Sequence, residues 1–191
     1  MKKLVIKTTL ITLASLIGAM AITFGAVALF APGFTAGIFN GVGNYSATVF
    51  FYEKQYAKTQ SVIDLMVLVD KVDYENDSVR AEKYLELLVN HKDFDKVSNV
   101  EGSTVSEKEF YVSNYALVLA KNDKFADALS VSSEFVKENG YTNYNPYRIL
   151  IYDYTEIADD NLRSILTDLL GITPSEKVVA DVNYINNKLL G

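Results

Sequence analysis

Residues 121–129 read Lys121-Asn122-Asp123-Lys124-Phe125-Ala126-Asp127-Ala128-Leu129, and this short run decides the fold. Asn and Asp mark a turn, an aromatic residue follows it, and a small residue stands three places later. Ala116 supplies a small residue in the preceding stretch, and Phe135 a large one further on. Two helices meeting closely need this pairing, because a small side chain lets backbones approach and a large one fills the adjacent hole. Outward from here, Ser106-Glu107-Lys108-Glu109 has the form of a capping box ahead of an apolar-periodic run. Asn145-Pro146 and Thr173-Pro174 each place a cap residue before a proline suited to the first helical position. Gly140 and Gly171 stand where helices stop, and Leu65, Leu68, Val69 and Val72 recur at helical spacing. The fold class is therefore all-α.

The same pattern recurs. In Gly43–Lys54, Tyr45 is the aromatic after the turn, Thr48 the small residue and Tyr52 a second aromatic, with Phe39 a large residue upstream. About 33 residues on, Leu65, Leu68 and Val72 take the first-helix places, Ala81 the small place, and Leu85 and Leu88 the second-helix face. These stretches resemble degenerate tetratricopeptide repeats over roughly Leu29 to Ile172. The Trp and Gly typical of the first helix are missing, repeat lengths differ, and extra residues including His91 to Gly102 intervene. The resemblance implies an α-solenoid of about four helix pairs plus a capping helix over Pro174–Leu190; an irregular helical bundle is the alternative. It also implies a concave groove for a peptide or protein partner, lined by Met66, Asp70, Tyr74, Ser113, Leu117, Lys121 and Tyr154. Each pair exposes an apolar face that only its neighbour buries.

No charge occurs between Thr8 and Tyr52, and Lys2, Lys3 and Lys7 precede that run. Thr8–Phe30 is apolar throughout and long enough for a bilayer core of ~30 Å, which takes about 20 helical residues. It exceeds the usual core of a cleaved signal, although Ala26-Val27-Ala28 offers a small-x-small site, in which case the rest is secreted. The basic flank predicts a cytoplasmic N-terminus and an extracytoplasmic C-terminal domain. Ala14/Gly18 and Ala21/Gly25 form small-x-x-x-small pairs that suit close helix approach. Ala31–Phe51 contains Pro32, Asn40, Asn44 and four glycines, so it reads as the first repeat rather than a second span. The expected organisation is an anchor over 1–30 and a helical-repeat domain over 31–191, with Pro32–Gly41 joining them almost without a linker.

The chemistry-bearing residues are sparse. Of 18 lysines and arginines three precede the apolar run, so the remainder sets 15 cations against 24 acids. Such a surface repels nucleic acid and anionic lipid. With no cysteine, disulfides, thiol catalysis and thiolate metal sites are excluded. His91, the sole histidine, reads as a helix-end residue. Asp153, Glu156, Asp159 and Asp160 lack the central Gly and distal Glu of a calcium loop and read as a solvated face or turn. Gly33, Gly37, Gly41 and Gly43 lack the Lys-Ser/Thr of a phosphate loop. Asn44-Tyr45-Ser46 and Asn76-Asp77-Ser78 fit the glycosylation pattern, which matters only in a eukaryotic secretory host. The cluster Tyr141, Tyr144, Tyr147, Tyr152 and Tyr154 suits either a partner surface or helix packing with hydroxyls in solvent. No cofactor or catalytic residue is indicated. The sequence therefore predicts a membrane-anchored protein–protein interaction scaffold, with a structural subunit of a membrane complex or an envelope hydrolase as alternatives.

Overall fold

A computed structural model describes residues 2–72, 76–96 and 105–190. Among them are ten α-helices, one 3₁₀ turn (Phe94–Lys96) and no strand. In chain order the helices are α1 (Lys2–Phe30), α2 (Pro32–Gly41), α3 (Tyr45–Thr59), α4 (Val62–Lys71), α5 (Ser78–Val89), α6 (Glu107–Lys121), α7 (Phe125–Asn139), α8 (Pro146–Tyr152), α9 (Asp159–Leu170) and α10 (Glu176–Leu190). They form two compact units, Met1–Lys71 and Val72–Gly191. The expected boundary after residue 30 lies inside the first unit, and Lys71/Val72 falls within the second repeat copy.

In the first unit, Ile11–Phe30 of α1 is long and apolar enough to cross a membrane, and none of it is buried. Only Ala31 separates α1 from α2. The Ala31 N–H still donates to Val27 O, and the Thr35 N–H to Ala31 O, so hydrogen bonding continues across the junction. Pro32 stands at the start of α2, where its missing N–H costs nothing. Thr35 and Ala36 of α2 and Thr48 and Val49 of α3 are buried between these small-faced helices. At their turn Gly43 adopts φ +73°, the left-handed backbone that glycine takes without strain. Asn44 caps α3 by accepting from the Ala47 N–H at 3.1 Å.

In the second unit α6 is central: it packs on α5, α7 and α8, while α7 also meets α8 and α9, and α10 lies on α9 and α8. Leu85, Leu88, Ala116, Ala128, Leu150, Leu162, Ile165, Leu169 and Ile185 are wholly buried. Burying a leucine fully is worth about 1.5–3 kcal/mol, so this core carries the unit. Caps set the boundaries. Asp77 accepts from the Arg80 N–H, Ser106 from the Glu109 N–H, and Asn145 from the N–H groups of Tyr147 and Arg148. The Glu109 carboxylate, expected to close a capping box, is instead turned to the Thr142 hydroxyl. The last helix begins at Glu176 rather than Pro174, because Ser175 is the cap: its Oγ accepts from the Val178 N–H. Beyond α6, Asn122 donates to Ser78 O at 3.1 Å and to Glu82 Oε2 at 2.7 Å, fastening the α6–α7 turn to α5.

Ala116 and Ala128, the small residues of the repeat pattern, have no exposed surface. Ala116→Leu should therefore destabilise the second unit by about 1–3 kcal/mol through overpacking. Thermal melts of the full chain in detergent read this, with Ala126→Leu on the exposed side of α7 as control. Equal melting of both variants would mean that α6 does not cross its neighbours at Ala116.

Candidate functional site

The helical period places Phe110, Asn114, Leu117 and Lys121 on one stripe of α6, none of them buried. Two expected groove residues, Leu117 and Lys121, lie on it. A third does not: Ser113 is fully buried and donates its hydroxyl to Tyr144 O at 2.9 Å. It stands about 60° round the helix from Phe110, at ~100° per residue, and that rotation turns it inward. Tyr144 closes the stripe at one end, its ring stacked on Phe110 with centroids 6.3 Å apart. Tyr154 is half-buried; its phenol is held above the usual range first by burial, then by Glu156 and Asp123. Asp123 belongs to the turn just after Lys121. Met66 and Asp70 lie in the first unit, Met66 buried and Asp70 exposed. Tyr74 falls outside the described residues. Tyr144 was singled out only as a member of the tyrosine cluster, and Phe110 and Asn114 were not anticipated; continuing the 3.6-residue count from Leu117 would have found those two.

Three members of the tyrosine cluster take the helix-packing role, but with their hydroxyls on carboxylates rather than in solvent. Tyr141 and Tyr152 both donate to the fully buried Asp181 of α10, at 2.8 and 2.6 Å. Tyr147 donates to Asp168 of α9 at 2.9 Å. The hydroxyls point inward to carboxylates of later helices, not to solvent. Arg148 Nε lies 3.0 Å from Asp181 Oδ2, but its N–H is not aimed at that oxygen, so the contact is ionic without a well-aligned hydrogen bond. The guanidinium also lies over the Tyr152 ring at 5.4 Å, and Tyr152 packs on Tyr184 at 4.8 Å. Burial first, and then the hydrogen bond to Asp181, pushes the Tyr141 phenol far above its ordinary range. Burial and Asp168 do the same for Tyr147. These groups hold helices together; a phenol kept this firmly protonated is no general base near neutral pH.

His91 follows the end of α5, where its Nδ1 accepts from the Asp93 N–H at 3.1 Å and so shapes the 3₁₀ turn. A cavity of about 490 Å³ beside it is lined by His91, Lys108, Tyr115, Glu134 and Glu138 among others. Lys108 is paired with Asp95 at 2.7 Å. Burial first, then Glu86, Glu82 and Asp127, pushes the Tyr115 phenol up to about 12. Across α7, Ser133 shares a cavity with Tyr147 and Asp168, but those two are bonded to each other and no histidine lines it. Asp153 caps the end of α8, while Asp159 and Asp160 occupy the first turn of α9, where acids are favoured by the helix dipole. Among the described residues, no three acids or histidines gather as metal ligands.

Set beside known proteins, the chain matches no family model, no curated protein and no solved structure.

Proposed function

We propose that this chain is a membrane-anchored protein–protein interaction scaffold, held by Thr8–Phe30, with its N-terminus cytoplasmic and its helical domain outside. The observation that carries it is the packing order of the second unit. α6 meets α8 and α7 meets α9, next-but-one partners, besides the sequential contacts α5/α6, α6/α7 and α7/α8. Stacked helix pairs of the tetratricopeptide kind pack in this order, first helix on first and second on second, which supports a solenoid. In that reading the open side of α6 lines the concave face, and its stripe from Phe110 to Lys121 combines an aromatic, an amide, an aliphatic and a cation. A peptide with an apolar residue next to an acid suits this surface: rings and Leu117 bury apolar area while Lys121 selects charge.

The test is capture of crosslinked partners by the full chain from native membranes. Leu117→Ala with Lys121→Glu should abolish the specific adduct, whereas Val179→Ala on the exposed side of α10 should leave it intact. An adduct that survives the α6 changes rules this stripe out. Protease added to intact cells should cut the helical domain; protection there would reverse the orientation.

A further inference from the structure

The charge-free run does not end with the membrane-spanning length of α1; it continues through α2 and the first half of α3 to Tyr52. The direction of α2 explains this. Were α2 to continue α1, Phe24 and Phe39 would lie roughly 22 Å apart along the axis. Their ring centroids are instead 6.1 Å apart, edge to face. α2 therefore folds back beside the last turns of α1, and α3 returns antiparallel to α2. Phe39 stacks on Phe51 at 5.5 Å, the Gly33 N–H donates to Gln55 Oε1 at 3.2 Å, and Lys58 Nζ donates to Phe30 O at 2.8 Å. Phe24 is six residues, or ~9 Å, from the end of α1. The turn at Gly43 lies a few residues deeper still, near the middle of a ~30 Å core spanned by α1.

Polarity is sorted along this axis. At the base, level with Phe30, sit Gln55, Lys58, Thr59 and Asp64, where Asp64 Oδ2 accepts from Thr59 Oγ1 at 2.6 Å and Gln55 Nε2 at 3.2 Å. Beyond it, Phe34 near the start of α2, Ile38 and Phe50 further along and Val42 at the tip are 65, 42, 48 and 73% exposed, and Lys54 Nζ lies 5.3 Å from the centroid of the Phe50 ring. Hydrocarbon tolerates a bent backbone only where its polar groups are satisfied internally. The tip meets much of that demand. Val42, Gly43 and Asn44 donate their N–H groups to Ile38, Asn40 and Phe39 carbonyls, and Thr48 Oγ1 donates to Asn44 O. Against lipid stand Asn40, Asn44 and Ser46, all exposed; the Asn44 oxygen is already committed to the Ala47 N–H. Set against them is the exposed apolar surface of Phe34, Ile38, Val42 and Phe50.

We propose that residues 32–52 form a re-entrant helical hairpin embedded in the leaflet where α1 ends, its partner being the acyl chains rather than water or protein. This rests on reading α1 as a membrane span, and the experiment separates the two. Because the chain has no cysteine, single cysteines report cleanly. Ile38→Cys, Val42→Cys, Ile17→Cys, Ala57→Cys and Ser130→Cys, each in the full chain, would be labelled with an environment-sensitive nitrobenzoxadiazole dye and reconstituted in phosphatidylcholine vesicles. The expected result is blue-shifted emission at 38 and 42, several-fold weaker quenching by iodide than at 57 and 130, and strong quenching by acyl-chain nitroxide lipids, as at 17. Iodide access at 38 and 42 equal to that at 57, with Ile17 still lipid-quenched, overturns the hairpin and leaves the anchor standing. Iodide access at 17 itself overturns the span and the hairpin with it. Shielding at 42 from both iodide and nitroxide lipid assigns the surface to a protein partner, a second copy included, and overturns the lipid assignment.

Discussion

Asp181→Ala should cost the second unit about 3–5 kcal/mol, the range for stranding one side of a buried ion pair. The carboxylate is fully buried and accepts from two donors, Tyr141 on the loop before α8 and Tyr152 at the end of α8, while Arg148 between them is its ionic partner. Alanine leaves two phenols without an acceptor and a guanidinium without its counter-charge, and α10 loses its polar fastening to α8. A whole domain is typically stable by only ~5–15 kcal/mol, so a large part of the margin goes. Tyr152→Phe removes one bond to a charged acceptor and should cost about 1.5–3 kcal/mol. Urea unfolding followed by circular dichroism on the detergent-solubilised chain reads both. A loss below ~1 kcal/mol for Asp181→Ala would show that α10 is held by Val178 and Ile185 alone.

Raising the pH above about 10 should unfold the second unit in a cooperative step. Six tyrosines there are held above their ordinary value: Tyr115 at about 12, and Tyr141, Tyr144, Tyr147, Tyr152 and Tyr154 in the same direction. Burial is the leading cause for each. Below the unfolded value, near 10, both states keep their protons and the full stabilisation is present. Above it the unfolded chain sheds protons that the folded one retains. The unfolded state then binds fewer protons, and stability falls with rising pH until the folded values are passed. The share of tyrosinate absorbance that these six contribute should consequently appear late and steeply, together with loss of helical ellipticity. Complete ionisation of all 13 tyrosines in one smooth step near pH 10 with ellipticity unchanged would contradict the buried environments of these phenols.

Much of the helical framework was written locally. Ser106 and Asn145 announce their helices because a cap is satisfied by N–H groups two or three residues on, within one reading window. Asp77 does the same for α5, inside a tripeptide that also fits the glycosylation pattern. Ala116 and Ala128 were legible as close-contact positions because the spacing of small and large residues repeats. The side of α6 that faces outward was harder: Ser113 and Asn114 differ by one place, and the bond that marks Ser113 as inward runs to Tyr144 O, 31 residues on. The Tyr–Asp bonds link residues 21 to 40 positions apart, across which no periodicity runs. Pro32 marked the break after α1. The direction taken after it depends on Phe24 meeting Phe39, a tertiary choice between two charge-free helices.

The fold-back of α2 and α3 gives the first unit unequal girth along α1. Its N-terminal half is a single helix, whereas its C-terminal third is a cluster of three. With residues 32–52 embedded as proposed, such a body is a cone: it displaces more lipid area from one leaflet than from the other. A sheet of lipid relieves that imbalance by bending toward the narrow end. The anchor would therefore favour membranes that bulge on the side of its wide end, where outer lipids are splayed and the added cross-section fits with least compression.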